Sequence, residues 1–343
     1  MNTRTRYKFK LLLIIILAWL FIGLLIALYD YLVLHIHHLP GTVPGYSFLF
    51  SVAVNMGSGL IGALIGGSLL VFYINVRYQD KSYGYTVTAV TFFFVLIILM
   101  INVILRSIGY ADTTRLFKSG LVWAVVVAIT QLLLQVNSKF GPGVFWNIVR
   151  GKYNTPREEQ RIFMFFDLNS STATAEKLGN KQYHELLKDI FTDITNPILD
   201  NKGEIYQYVG DEVVVAWKYK DGIEDSRCIQ CFFDIKDYLE QRKEKYMRQY
   251  GLVPSFKAGI HCGMVIAGEV GIIKRDITYS GDVLNTASRI QGLCREFNAE
   301  VIVSSDLASV LHLDNFATQL LGGIKLRGKE KEVQLISLRP AIS

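Results

Sequence analysis

Apolar residues run in long unbroken stretches up to about position 136 and in short, patterned groups after it. Residues 11–28 read LLLIIILAWLFIGLLIAL, 18 positions without a charge. With its flanks this is enough to cross a hydrocarbon layer of roughly 30 Å. A cleaved secretory signal is the competing reading, because Arg4, Arg6, Lys8 and Lys10 precede the run. No small-residue cleavage site follows it, however, and three more apolar segments do, at 48–76, 86–105 and 121–136. Residues 1–138 are therefore expected to form an α-helical membrane domain of four spans, with both termini on one side.

Beyond it the pattern breaks. Gly141-Pro142-Gly143 stops any continuing helix, a short amphipathic run follows at 144–149, and a polar stretch contains Pro156, so 139–161 reads as a connector. From Ile162 the periodicity predicts a strand (162–168), helices (174–196), a hairpin (204–218) and a helix (225–248). A strand (255–261), a further extended region, a helix (283–297), a strand (301–304) and a closing strand pair follow. Residues 162–340 thus form an α+β domain of a size usual for one core.

Composition sharpens this division. The 343 residues are 51% hydrophobic, and the mean hydropathy is +0.29, too apolar for an ordinary soluble chain. The formal charge of +6 is unevenly placed: residues 1–150 hold three acids against eleven Lys and Arg, and the remaining 193 hold 27 acids against 25 bases. The basic surplus belongs to the apolar half, so a nucleic-acid-binding surface has no support. Nine Lys and Arg (Arg4, Arg6, Lys8, Lys10, Arg77, Lys81, Lys139, Arg150, Lys152) flank one side of the spans, against three (Arg106, Arg115, Lys118) on the other. This predicts a multi-pass cell-membrane protein, plasma or inner, with a cytoplasmic N-terminus and a cytoplasmic second domain. All four cysteines (Cys228, Cys231, Cys262, Cys294) fall in that domain, where a reducing compartment keeps them as thiols.

Within the second span Gly59, Gly62, Ala63 and Gly66 place small residues four apart. They suit close helix packing, either inside one bundle or along a dimer seam. His35, His37 and His38 are interfacial histidines, with metal or haem ligation as the sharper alternative.

The candidate chemistry lies in the second domain. The run Ile162-Phe163-Met164-Phe165-Phe166 leads straight into Asp167, followed by Leu168-Asn169-Ser170-Ser171-Thr172 and a helical pattern. An acid closing a buried strand just before a helix can hold a cation, while the helix N–H groups receive phosphate oxygens. The bland alternative is a helix cap. Gly210-Asp211 joins two strand-like runs and fits a type II′ turn with Asp211 at its tip; plain turn chemistry is the alternative. Two carboxylates at adjacent strand ends suit two Mg2+ or Mn2+ ions on a triphosphate. Asn285 and Arg289, four apart, share a helix face and can orient a ribose and neutralise phosphoryl charge; a solvated or salt-bridged Arg is the alternative.

These segments, with Ala258-Gly259-Ile260-His261-Cys262-Gly263 between them, stand in an order and spacing that resembles class III adenylate/guanylate cyclase catalytic domains over about 160–338. The resemblance implies a ferredoxin-like α+β fold and a homodimer with active sites at the subunit interface. It implies that Asp167 and Asp211, assisted by the Leu168 carbonyl, hold two metal ions, and that Ser170, Ser171 and Thr172 cradle the phosphates. Asn285 and Arg289 would come from the partner, and Arg327 or Lys329 would meet the triphosphate. The reaction implied is attack of the ribose 3′-hydroxyl on the α-phosphorus with loss of pyrophosphate. The base-contacting positions are Gln207 and Thr278, where the family commonly has Lys and Asp; Thr marks one adenylate cyclase subgroup. A Gln amide both donates and accepts, so it can meet adenine or turn to meet guanine. ATP is the expected substrate, with a guanylate or dual-specificity cyclase as the alternative. Ser170 and Ser171 replace the family's usual Gly-Phe. Two other readings stay open. Val209-Gly210-Asp211-Glu212-Val213 resembles the diguanylate cyclase signature with its first Gly replaced, and a cyclase-like module can also serve as a non-catalytic receptor. Cys228 and Cys231 read as helix core, and His261 as structural.

Overall fold

The computed structural model describes residues 3–33, 48–74, 77, 81–107, 113–140, 150–273 and 275–341. His35, His37 and His38, and the Gly141-Pro142-Gly143 break with the run after it, lie outside the described residues. The chain divides into two compact units with the boundary between Arg150 and Gly151.

The first unit is helical: α1 (Thr3–Tyr31), α2 (Phe48–Gly62), α3 (Tyr83–Ser107) and α4 (Thr113–Phe140). The path of α2 continues through wider π-type turns at Ala63–Gly67 and Leu69–Ile74. Among the described residues three helices are long and apolar enough to cross a membrane: Thr5–Tyr31, Phe48–Ile74 and Gly120–Ser138. The expected third span, 86–105, lies within the helix Tyr83–Ser107, whose stretch Gly84–Ile97 is apolar among the described residues. Leu17, Phe21, Leu49, Phe92 and Leu121 are each more than half exposed, a surface suited to lipid and costly in water.

All four helices supply the unit's core, through Ile15 and Trp19, Ala63 and Leu70, Phe94, and Val127. Trp19 Nε1 donates to Thr130 Oγ1 at 3.0 Å. The small residues of α2 serve this packing. A Cβ on Gly59 would come within 2.7 Å of the Trp19 carbonyl oxygen, and one on Gly66 would collide with the Phe94 ring. The packing reading therefore accounts for them within one chain.

The second unit carries one mixed sheet. Its elements are β1 (Arg157–Leu168), α5 (Ser171–Asp200), β2 (Glu204–Val209), β3 (Glu212–Lys218), α6 (Tyr219–Ile223), α7 (Arg227–Glu240), α8 (Lys243–Tyr250), β4 (Phe256–Val270), β5 (Asp276–Ser280), α9 (Asp282–Leu293), β6 (Val301–Ser304), α10 (Ser305–Ala308), β7 (Phe316–Ile324) and β8 (Val333–Pro340). The strand order is β2-β3-β1-β4-β6-β8-β7, with β5 paired to β4. The first four strands, with α5 and α7 as crossovers, make the β-α-β-β-α-β arrangement of ferredoxin-like folds. The predicted elements are all present. Both β1 and β4 run longer than predicted, because Arg157–Arg161 pair with Gly263–Ala267 in an arm beyond the main sheet.

Alternation along β1 separates two cores. Ile162, Met164 and Phe166 pack with α5 and α7 residues on one face. Phe163 and Phe165 pack with Val265, Val283 and Ala287 on the other. Asp167, two positions on from Phe165, emerges on the face that α9 covers. Cys228 and Cys231 are buried in the first core, where burial pushes both thiols up, as expected of structural cysteines. His261 Nδ1 lies 2.7 Å from Ser304 Oγ, which accounts for it structurally.

Candidate active site

Asp167 is not a helix cap. It stands inside β1, opposite Glu212 of β3 and Lys257 of β4, four positions before α5 begins. The β2–β3 hairpin closes through the Val209–Glu212 pair, leaving Gly210 and Asp211 as its two-residue turn. Gly210 takes φ +63°, the left-handed value that a glycine accepts without a Cβ clash. This turn brings the Asp211 carboxyl to Asp167. Burial, and then the Asp211 charge, push the Asp167 carboxyl above its ordinary value. Burial and the same two acids push Glu212 up to about 7. Gln291 of α9 answers part of the charge, donating from Nε2 to Asp167 Oδ2 at 3.2 Å.

A cleft of about 450 Å³ opens here, lined by Asp167 to Ala173 and by Lys257, Gln291, Gly292 and Arg295. Ser170 precedes α5 in a left-handed conformation, φ 54°, and its side chain makes no capping bond to the helix. The first N–H groups of α5 are left for another acceptor. The cleft thus combines facing acids, helix N–H donors and two basic side chains, a donor set that fits cations together with an anionic phosphate chain. Among the described residues no group of three or more His, Cys, Asp or Glu is placed to hold a metal ion.

Residues 154–337 match the family model described as the adenylate and guanylate cyclase catalytic domain, more than half of the chain. The chain belongs to this family. It is 37% identical over 207 residues to adenylate cyclase 2 of Rhizobium meliloti (strain 1021), which covers 60% of this chain and 57% of that protein. It is 25% identical over 213 residues to an adenylate cyclase of Anabaena cylindrica, covering 59% of this chain and 40% of that one. The chain thus spans about half the length of these relatives. A solved bacterial light-regulated adenylyl cyclase shares the fold, with a TM-score of 0.56 and 20% identity over 67% of this chain and 66% of its own.

In the cyclase domain the expected site residues fall into three groups. Asp167, Leu168, Ser170, Ser171 and Thr172 line the cleft, with Asp211 beside Asp167. Asn285, Arg289, Arg327 and Lys329 do not line it. A Cβ on Gly328 would lie 3.5 Å from an Arg289 guanidinium nitrogen, so Arg289 rests on the 326–329 turn. Lys329 Nζ pairs with Asp282 Oδ2 at 2.7 Å, and Arg327 is exposed. The helix explains the split: Arg289 is about 200° around the axis from Gln291, the residue that touches Asp167.

Gln207 and Thr278 form a third group. The β2 register shifts between Ile205 and Gln207, so Tyr206 bulges and Gln207 stands opposite Val214. Thr278 pairs with Gly268 in the β4–β5 arm. Reading the sequence had missed Lys257, Gln291, Arg295 and Glu212. Of these only Glu212, next to Asp211, carried a local signal; the others reach the cleft through strand and helix register.

Proposed function

We propose that this protein is a membrane-anchored adenylate cyclase. It converts ATP to 3′,5′-cyclic AMP and pyrophosphate at two sites shared across a homodimer. One observation carries the reading. In a single chain Asp167 and Ser170 to Thr172 line one cleft with Asp211 beside Asp167, while Asn285 and Arg289 are not among its lining residues. A second copy related by a two-fold axis supplies what each cleft lacks, since such an interface applies the same patch twice.

In this reading Asp167, Asp211 and the Leu168 carbonyl hold two Mg2+ or Mn2+ ions. When bound, these ions ease deprotonation of the ribose 3′-hydroxyl and offset charge on the departing pyrophosphate. The backbone N–H groups at Ser170, Ser171 and Thr172 receive phosphate oxygens, and Lys257 and Arg295 add positive charge along the cleft wall. The partner's face brings Asn285 to orient the ribose and Arg289 to neutralise the α-phosphoryl oxygens as the 3′-oxygen attacks. Arg327 or Lys329 meets the triphosphate. For Lys329 this requires exchanging its Asp282 pair for phosphate.

Gln207 and Thr278 read the base. An uncharged pair matches adenine's N6 donor and ring acceptor, and the family relatives described above are named adenylate cyclases. The apolar unit, residues 1–138, crosses the bilayer four times with the N-terminus and the catalytic domain on the cytoplasmic side, and a connector shorter than 139–161 joins it to that domain, whose first strand begins at Arg157.

The test is product analysis. Purified full-length protein is given ATP or GTP with Mg2+ or Mn2+, and the products are separated. Cyclic AMP from ATP, lost in Asp167→Ala and Asp211→Ala, supports the reading. Cyclic GMP or cyclic di-GMP from GTP, with no cyclic AMP from ATP, would make it a guanylate or diguanylate cyclase, and no turnover with either metal would make it a non-catalytic module.

A further inference from the structure

Strands β2 and β5 are separated in the sheet order by β3, β1 and β4, yet they meet in space. The Tyr279 backbone N–H donates to Tyr206 Oη at 3.3 Å, and the two rings lie 5.0 Å apart. Phe163 of β1 packs edge-on against both, at 6.3 and 5.4 Å. Each tyrosine is a chain neighbour of a base-reading position, Tyr206 of Gln207 and Tyr279 of Thr278.

Arg161 holds this junction. It is 2% exposed, and nothing in the reaction assigns it a task. Its Nε and one terminal nitrogen donate to Glu159 Oε2 at 2.9 and 2.6 Å. Its other terminal nitrogen donates to Glu204 Oε2 of β2 at 3.2 Å, and its guanidinium lies 5.1 Å from the Tyr279 ring centre. Glu159 is gripped from its other oxygen by Lys152 Nζ at 3.2 Å and Tyr153 Oη at 3.3 Å. One planar cation thus touches β2 through a carboxylate and β5 through a ring, with its own strand β1 between. A guanidinium does this where an ammonium cannot, because its fork and its flat face engage different partners together.

We infer that Arg161 is a positioning residue for base selectivity, setting the spacing of Gln207 and Thr278 through the Glu204 and Tyr206–Tyr279 contacts. The inference rests on the proposed reading of Gln207 and Thr278 as the base contacts. A buried cation between two acids also stabilises the fold once it is there, and its removal is destabilising whatever else it does. Loss of activity alone therefore decides nothing, and the ratio of two substrates does.

The experiment compares full-length wild type with Arg161→Lys, Tyr206→Phe and Gln207→Ala. It measures kcat and KM for ATP and for GTP, with thermal midpoints alongside. Arg161→Lys keeps the charge and loses the fork, and Tyr206→Phe deletes only the hydroxyl that Tyr279 meets. Both are expected to lower the ATP-to-GTP ratio of kcat/KM by about tenfold, chiefly through a higher KM for ATP. If the two variants weaken both nucleotides equally while Gln207→Ala shifts the ratio, the base reading stands and the inference is overturned. If Gln207→Ala leaves the ratio unmoved as well, the base reading falls and the inference with it. Should Arg161→Lys fail to fold, Tyr206→Phe decides the question.

Discussion

Gln291 donates its side-chain amide to Asp167 across 3.2 Å, and this bond joins the helix carrying Asn285 and Arg289 to the end of β1. It orients the carboxylate and supplies one of the few positive dipoles facing a crowded pair of acids. With Asp167 as a metal ligand, as proposed, an amide bonded to it is expected to alter metal affinity by about tenfold or more. Gln291→Leu should therefore raise the Mg2+ concentration needed for half-maximal activity on the order of tenfold, with most of the maximal rate recovered at saturating metal. A metal titration of the activity checks this. An unchanged half-saturation point would mean that the amide does not tune the site.

Gly259 is the point where α9 crosses β4. A Cβ there would collide with the Gln291 backbone nitrogen and sit 2.5 Å from the Ala287 carbonyl oxygen. Because those atoms are backbone, no rotamer change relieves the clash and the helix must move. Gly259→Ala should cost about 1–3 kcal/mol of stability and reduce turnover. The thermal midpoint and the rate should fall together. A variant with a normal midpoint and normal rate would show that α9 has room to shift.

His261 gives the fold a pH dependence with a definite sign. Burial, then the Lys329 charge, lower its pKa to about 4, against the smaller pull of Asp306 and Asp282. The folded form thus holds the ring neutral where the unfolded chain, near 6.5, would protonate it. Stability is retained above pH 6.5 and lost as pH falls from there toward 4, by about 3 kcal/mol at most. Thermal midpoints measured from pH 7.5 to 4.5 should fall less steeply in His261→Gln than in wild type. Parallel curves would assign the acid sensitivity to other groups.

Much of this architecture was legible in the residues. Uncharged runs announced the helices, the unbroken apolar strand before Asp167 announced β1, and Gly210-Asp211 announced the hairpin with its acid at the tip. Those signals are local, and local backbone preferences decide them. The first half of β1 was not legible, because Arg157-Glu158-Glu159-Gln160-Arg161 has neither apolar alternation nor β-branched residues and is a strand only through its pairing with β4. The same holds for Lys257, whose place opposite Asp167 depends on register between strands far apart in sequence. Arg161 is the sharpest case. A charged residue five positions after a proline looks like a solvated connector, and only the convergence of Glu159, Glu204 and Tyr279 makes its burial tolerable.

The central claim is that every catalytic site is made from two chains, and mixing variants tests it most directly. Asp167→Ala and Arg289→Ala chains, each inactive alone, are co-expressed with different tags, and heterodimers are isolated through both. A heterodimer holds one site with both substitutions and one with neither, so cyclic AMP formation should return to about half the wild-type rate per dimer, as a two-fold arrangement requires. Isolated heterodimers with no activity, or an Arg289→Ala homodimer as active as wild type, would contradict the shared site.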